Sequence, residues 1–146
     1  MRLIRDREWL PLLTHTEQPE AIQRQLLSSI LASQRDTQFG RQHGFASLRS
    51  YEEFTQAVPV LGFEDLRERI EGQEQSGECL LNAEQPVHYV QTSGTTGKPK
   101  HLPMVRSALE WIDQYQRLFA FAQWAGVPGI YDGQVLVIAG QTVEGQ

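Results

Sequence analysis

The chain has 146 residues, 40% of them hydrophobic and 21% charged, a size at which one domain buries about 70% of the surface its unfolded chain exposes. A formal net charge of -5 and scattered basic residues argue against bulk nucleic-acid binding. The single Cys79 allows no intrachain disulfide, which fits a reducing cytoplasm, and no apolar run reaches the ~20 residues of a membrane span.

Residues 1–77 read as helical. The first ten residues mix charges into their apolar positions and lack a signal-peptide core. Thr16 is a candidate N-cap, Pro19 falls in the first turn, and Ile22, Leu26, Leu27, Ile30 and Leu31 form an apolar stripe that should end near Gln34. Thr37 to Phe45, with two glycines and two phenylalanines, reads as an irregular but packed connection. Ser50-x-x-Glu53 has the form of a capping box that opens a short helix to about Ala57, and Pro59 stops it. A second short helix is expected from Phe63 to Ile70. The polar run Gly72 to Gly77 then reads as the most flexible link.

Pro86 to Gln91 turns extended, with Val87, Tyr89 and Val90 favouring a strand. Beyond a loop ending at Lys100, Val105 to Ala125 has helical spacing. Ala108, Trp111, Ile112, Tyr115, Leu118, Phe119 and Ala122 lie on one broad face. Val135 to Ala139 reads as a strand buried on both sides. The fold class expected is therefore α/β: a helical segment followed, over residues 85–140, by a βαβ unit of a parallel sheet. Two parallel strands under one helix leave a face and an edge open. The chain is thus expected to be the N-terminal part of a single larger domain occupying residues 1–146, with a C-terminal domain absent.

The chemistry concentrates in Thr92-Ser-Gly-Thr-Thr-Gly-Lys-Pro-Lys100, which holds both lysines of a chain that otherwise uses arginine. Gly94 and Gly97 allow close backbone approach to a ligand. Thr92, Ser93, Thr95 and Thr96 offer hydroxyls, and Lys98 and Lys100 offset negative charge. That combination reads as a cradle for a polyphosphate, and hence for a nucleoside triphosphate. It is not a Walker A loop, because only Thr95 and Thr96 separate the glycines and Pro99 follows Lys98. The Gly-x-Gly-x-x-Gly dinucleotide pattern is also missing.

The nine residues from Thr92 to Lys100 resemble the phosphate loop of the adenylate-forming superfamily, which includes acyl-CoA synthetases, luciferase and peptide-synthetase adenylation domains. Two flanking segments narrow the resemblance. Ile30 to Phe45, with Thr37, Phe39, Gly40, Arg41, His43, Gly44 and Phe45, is similar to the N-terminal segment of the Gretchen Hagen (auxin-responsive promoter) family. Ser50 to Val60 followed by Phe63-Glu-Asp-Leu66 resembles that family's next segment, and so does Leu102-Pro103. The likeness runs over residues 20–145. It implies an incomplete adenylate-forming large domain of an acyl acid amido synthetase. Such an enzyme uses ATP, commonly with Mg²⁺, to adenylate a carboxylic acid and then passes the acyl group to an amino-acid amine. By that resemblance Ser93, Gly94, Thr95 and Thr96 grip the phosphates, and Lys98 or Lys100 offsets their charge. No residue of this chain is assigned a catalytic or metal-binding role, and the adenine, ribose and metal contacts would lie beyond Gln146. The chain alone is expected to be inactive. The alternatives are an acyl-CoA or acyl-protein ligase of the same superfamily, or a non-catalytic helical module. Small acid and amino-acid substrates are the expected partners, and the oligomeric state is left open.

Other residues have plainer readings. The Trp111, Tyr115 and Phe119 stripe reads as core packing against the sheet, with the wall of an acyl-acid pocket as the alternative. Arg117 reads as a solvated helix residue, His88 and His101 as structural, and His43 as a local hydrogen-bonding group. Cys79 reads as a neutral thiol, and Glu64 to Glu74 as a solvated face.

Overall fold

The computed structural model describes residues 1–92, 100–134 and 136. Helix begins at once. Arg2–Ile4 (α1), a π-helical turn over Arg5–Trp9 and Leu10–Thr16 (α2) run end to end. Next come α3 (Pro19–Gln34), α4 (Gln38–Gln42), α5 (Tyr51–Ala57) and α6 (Phe63–Ser76). A hairpin of β1 (Pro86–Gln91) and β2 (His101–Val105) follows, and then α7 (Arg106–Gly126).

Local signals account for many of these boundaries. Pro19 sits at the start of α3, where its missing N–H costs nothing. The N-cap there is Gln18 rather than Thr16, which closes the preceding helix with its hydroxyl donating to the Leu13 carbonyl. The Thr37 hydroxyl accepts from the Gly40 N–H at 2.8 Å, so the expected irregular connection is a capped helical turn. Gly40 is buried against the Gln34 carbonyl, and no side chain fits there. Ser50 caps α5 as anticipated, accepting from the Glu53 N–H at 3.1 Å. The Glu53 carboxylate reaches back one residue further, to the Arg49 N–H.

The polar run after Ile70 is a correction. α6 continues through Gly72 to Ser76 and stops at Gly77, whose φ of 71° is the left-handed cap that glycine adopts without strain. Tertiary contacts override the local breaker signal. Gly72 lies under the Leu80 side chain, and Gln73 is only 3% exposed.

The largest correction concerns the strands. β1 runs where expected, but residues 101–105 form a second strand before the helix begins. The two pair antiparallel, with Tyr89 opposite Pro103 and Gln91 opposite His101. Pro103 is tolerated because a two-stranded ribbon has only edge strands. The parallel partner anticipated at Val135 to Ala139 lies outside the described residues except for Leu136, which is exposed.

Apolar packing gathers in two places. Phe39 of α4, Phe45 and Phe54 of α5 form one aromatic cluster, with Phe39 and Phe45 edge-on at 5.8 Å. Leu31 and Ile70 are buried, as is Phe45 itself. His43 extends this cluster: its Nδ1–H donates to the Ala57 carbonyl at 2.7 Å, a partner 14 residues away rather than a local one. The second cluster joins the N-terminal helix to α7. Phe121 lies 5.2 Å from Trp9 and 5.8 Å from Trp124, and Arg117 donates to Glu8 at 2.6 Å while also pairing with Asp113. Arg117 is therefore an anchor rather than a solvated residue, and its carboxylate partners, Glu8 first, hold its guanidinium charged. A buried aromatic side chain of this kind stabilises by about 2–3 kcal/mol relative to exposure.

Candidate functional site

The site is assembled from its supports outward. Cys79 to Ala83 forms a strap clamped from both sides. On one side, the N–H groups of Gln38 and Phe39 at the start of α4 donate to the carbonyls of Cys79 and Leu80, at 2.9 and 3.0 Å. The Gln34 side-chain oxygen accepts from Ala83 N–H at 2.8 Å. On the other side, the buried Gln73 amide accepts from Leu81 N–H at 2.9 Å and Asn82 N–H at 3.0 Å, and donates to the Asn82 carbonyl at 3.1 Å. Cys79 sits in this strap half-buried, its thiol donating to the Ala83 carbonyl at 3.5 Å.

The strap delivers the chain to Glu84, which closes the base of the hairpin. Its carboxylate accepts from the Ser107 N–H at 3.1 Å, satisfying a donor in the first turn of α7. Hydrogen bonds from the Ser107 hydroxyl, first, and from its N–H hold the Glu84 carboxyl below its ordinary range. Glu84 thus ties the entry of β1 to the exit of β2. Halfway up, burial of Tyr89, followed by the charge of Glu74 on α6, pushes its phenol upward. Glu74 also lies 3.7 Å from His101 Nδ1, which gives that histidine an acidic neighbour.

At the far end Thr92 and Lys100 clasp each other. Thr92 N–H donates to the Lys100 carbonyl at 3.1 Å, and Lys100 N–H donates to the Thr92 hydroxyl oxygen at 3.2 Å. A hydroxyl that accepts in this way still has a proton to donate. The Lys100 ammonium lies 5.2 Å from the centre of the Phe63 ring, at the start of α6. Of the anticipated phosphate-binding residues, Thr92 and Lys100 are therefore brought together at the far end of the described hairpin. Ser93, Gly94, Thr95, Thr96, Gly97 and Lys98 lie outside the described residues. The contacts between Thr92 and Lys100 run through the Lys100 main chain, and the Lys100 ammonium is directed to the Phe63 ring instead. Among the described residues no group of three or more His, Cys, Asp or Glu could hold a metal ion.

The chain matches the family profile described as the GH3 family N-terminal domain over residues 11–146. The chain belongs to the GH3 family. It is 29% identical over 119 residues to the probable indole-3-acetic acid-amido synthetase GH3.2 of Oryza sativa subsp. japonica, covering 80% of this chain and 19% of that protein. It is 25% identical over 121 residues to the indole-3-acetic acid-amido synthetase GH3.5 of Arabidopsis thaliana, covering 82% of this chain and 20% of that one. The chain thus spans about a fifth of the length of these curated GH3 relatives.

Within this GH3 chain the aromatic stripe of α7 does not pack as core. Trp111, Tyr115 and Phe119 are 53%, 65% and 65% exposed, while the opposite side of the helix buries Phe121. Beside the stripe, Val87, Arg106, Leu109, Glu110 and Asp113 line an open recess of about 240 Å³ between β1 and α7. The residues that sequence reasoning missed are Gln73, Glu84 and Phe63. Each acts on a partner distant in sequence, and no spacing rule links them. No helix among the described residues is long and apolar enough to cross a membrane.

Proposed function

We propose that this GH3 chain carries the triphosphate-binding part of an ATP-dependent acyl acid amido synthetase, as the N-terminal portion of a larger adenylating domain. The full enzyme would activate a small carboxylic acid as its adenylate, release pyrophosphate, and transfer the acyl group to an amino-acid amine. The observation that carries this reading is the mutual clasp of Thr92 and Lys100 at the ends of a loop rich in glycine and hydroxyls, in a chain of this family.

The division of labour follows from charge. Attack of a carboxylate on the α-phosphorus pushes negative charge onto the departing pyrophosphate. Thr92, Ser93, Thr95, Thr96 and the backbone N–H groups beside Gly94 and Gly97 would donate to its oxygens, and Lys98 and Lys100 would balance its charge. Hydrogen bonds to charged oxygens contribute about 1.5–3 kcal/mol each, so three or four suffice for useful affinity. Magnesium, when bound, would accompany the nucleotide and neutralise part of its charge. The exposed Trp111, Tyr115 and Phe119 support the acyl-pocket alternative for the stripe, since an apolar wall suits the body of an organic acid.

The test is product analysis with the complete polypeptide that carries this segment. It is supplied with ATP, a panel of carboxylic acids and either amino acids or coenzyme A. Amide, AMP and pyrophosphate in equal amounts support the reading. A coenzyme A thioester with no amide would instead establish an acyl-CoA ligase.

A further inference from the structure

We infer that Phe63 is a positioning residue for the triphosphate, holding the Lys100 ammonium in place through the face of its ring; the inference rests on the ATP reading given above. Three observations support it. First, Lys100 Nζ lies 5.2 Å from the Phe63 ring centre, within the range of a cation–π contact. Second, the main chain of Lys100 is already fixed by the two hydrogen bonds to Thr92, so the ring needs to restrain only the side chain. Third, the same ring carries a second cation: the Arg67 guanidinium carbon lies 4.8 Å from its centre. Arg67 is itself held by Glu64 at 2.7 Å and Glu71 at 3.4 Å, and those bonds, Glu64 first, keep it charged.

The ring therefore touches two cations of different standing. Arg67 is balanced by two carboxylates on its own helix and fixes the ring from α6. Lys100 brings its ammonium to the ring from the loop. A lysine side chain loses substantial rotamer freedom when it grips a phosphate. A ring that already restrains it reduces that loss and leaves the ammonium able to bond to anionic oxygens, because a π-face occupies none of its N–H donors. Lys100 is then pre-oriented, and α6 sets its position. This makes α6 a structural part of the nucleotide site, although it lies well before the loop in sequence.

The test combines a contact readout with a binding readout. In the NMR spectrum of the full chain, the methylene protons next to the Lys100 ammonium should be shifted upfield by the ring. Phe63→Leu should abolish that shift, and Phe63→Tyr and Phe63→Trp should retain it. ATP titrations by calorimetry, with the complete polypeptide that carries this segment, should show about twofold to fivefold weaker binding in Phe63→Leu and near wild-type binding in the Tyr and Trp variants, the range for a cation–π contact at an exposed site. In a Lys100→Gln background Phe63→Leu should change ATP affinity by less than 1.5-fold. Equal weakening with and without Lys100 would show that Phe63 acts only on the fold and overturns the inference, as would unchanged ATP affinity in Phe63→Leu. Absence of ATP binding by the complete wild-type polypeptide would overturn the function reading and this inference together.

Discussion

Gln73 offers the sharpest test of how the hairpin is mounted. Replacing it with Leu keeps the side chain's bulk but removes three hydrogen bonds, two accepted from Leu81 and Asn82 and one donated to the Asn82 carbonyl. Each bond contributes about 1 kcal/mol net, and stranding a half-buried N–H costs about 1–3 kcal/mol. Partial solvation of the strap reduces the sum, so Gln73→Leu should destabilise the protein by about 2–4 kcal/mol. Gln73→Glu keeps both accepted bonds but sets a buried carboxylate oxygen against the Asn82 carbonyl, so near neutral pH it should destabilise by more than the ~1 kcal/mol of one lost bond. Gln75→Ala, on the exposed side of the same helix, should stay within ~0.5 kcal/mol of wild type. Urea denaturation followed by tryptophan fluorescence measures all three. A Gln73→Leu protein as stable as the Gln75→Ala control would refute the claim that this amide clamps the strap.

Other predictions follow from the same geometry. Glu84→Gln should weaken the tie to Ser107 with a definite pH signature. The folded-state carboxyl titrates below its ordinary value of 4.5, so its contribution is present above that value and lost as pH falls through the folded one. The wild-type advantage over Glu84→Gln, measured by thermal melts, should therefore be full near pH 7 and shrink steadily below pH 4.5. Glu8→Gln should loosen the N-terminal helix from α7 and raise amide hydrogen exchange around Trp9, while leaving the Phe45 cluster unchanged. Gly40→Ala would drive a methyl group into the Gln34 carbonyl, and it should lower the melting temperature far more than Gly126→Ala, where the added group meets open space. Thr92→Val removes the oxygen that accepts from Lys100 N–H, so amide exchange at Lys100 should accelerate. ATP binding should weaken by about 1.5–3 kcal/mol if that hydroxyl also donates to phosphate.

The parts of the fold that were legible in the sequence are those set by neighbours in the chain. Gln34 ends α3 as expected, although Gln18 rather than Thr16 stands at its N-cap; Ser50 caps α5, and Pro86 to Gln91 is a strand. What was not legible depends on distant partners. Gly72 looked like a breaker because a glycine in a helix costs about 1 kcal/mol, yet Leu80 above it and the bonded Gln73 beside it outweigh that cost. β2 is short, contains Pro103 and runs straight into a helix, so it carries little strand signal of its own. Pairing with β1 makes it a strand. Periodicity located the apolar stripe of α7 but could not say what covers it, and Phe119 and Phe121, two residues apart, have opposite environments. For the site, the composition of the loop was visible, whereas the supports supplied by Phe63, Gln73 and Glu84 were not.

The most direct test of the account is ATP–pyrophosphate exchange, assayed with the complete polypeptide that carries this segment. The account predicts exchange that depends on added carboxylic acid and falls at least about tenfold in Lys100→Gln, as expected from loss of one charge-assisted contact. Folded protein that binds ATP yet shows no acid-dependent exchange across a broad acid panel, or exchange indifferent to Lys100→Gln, would contradict it.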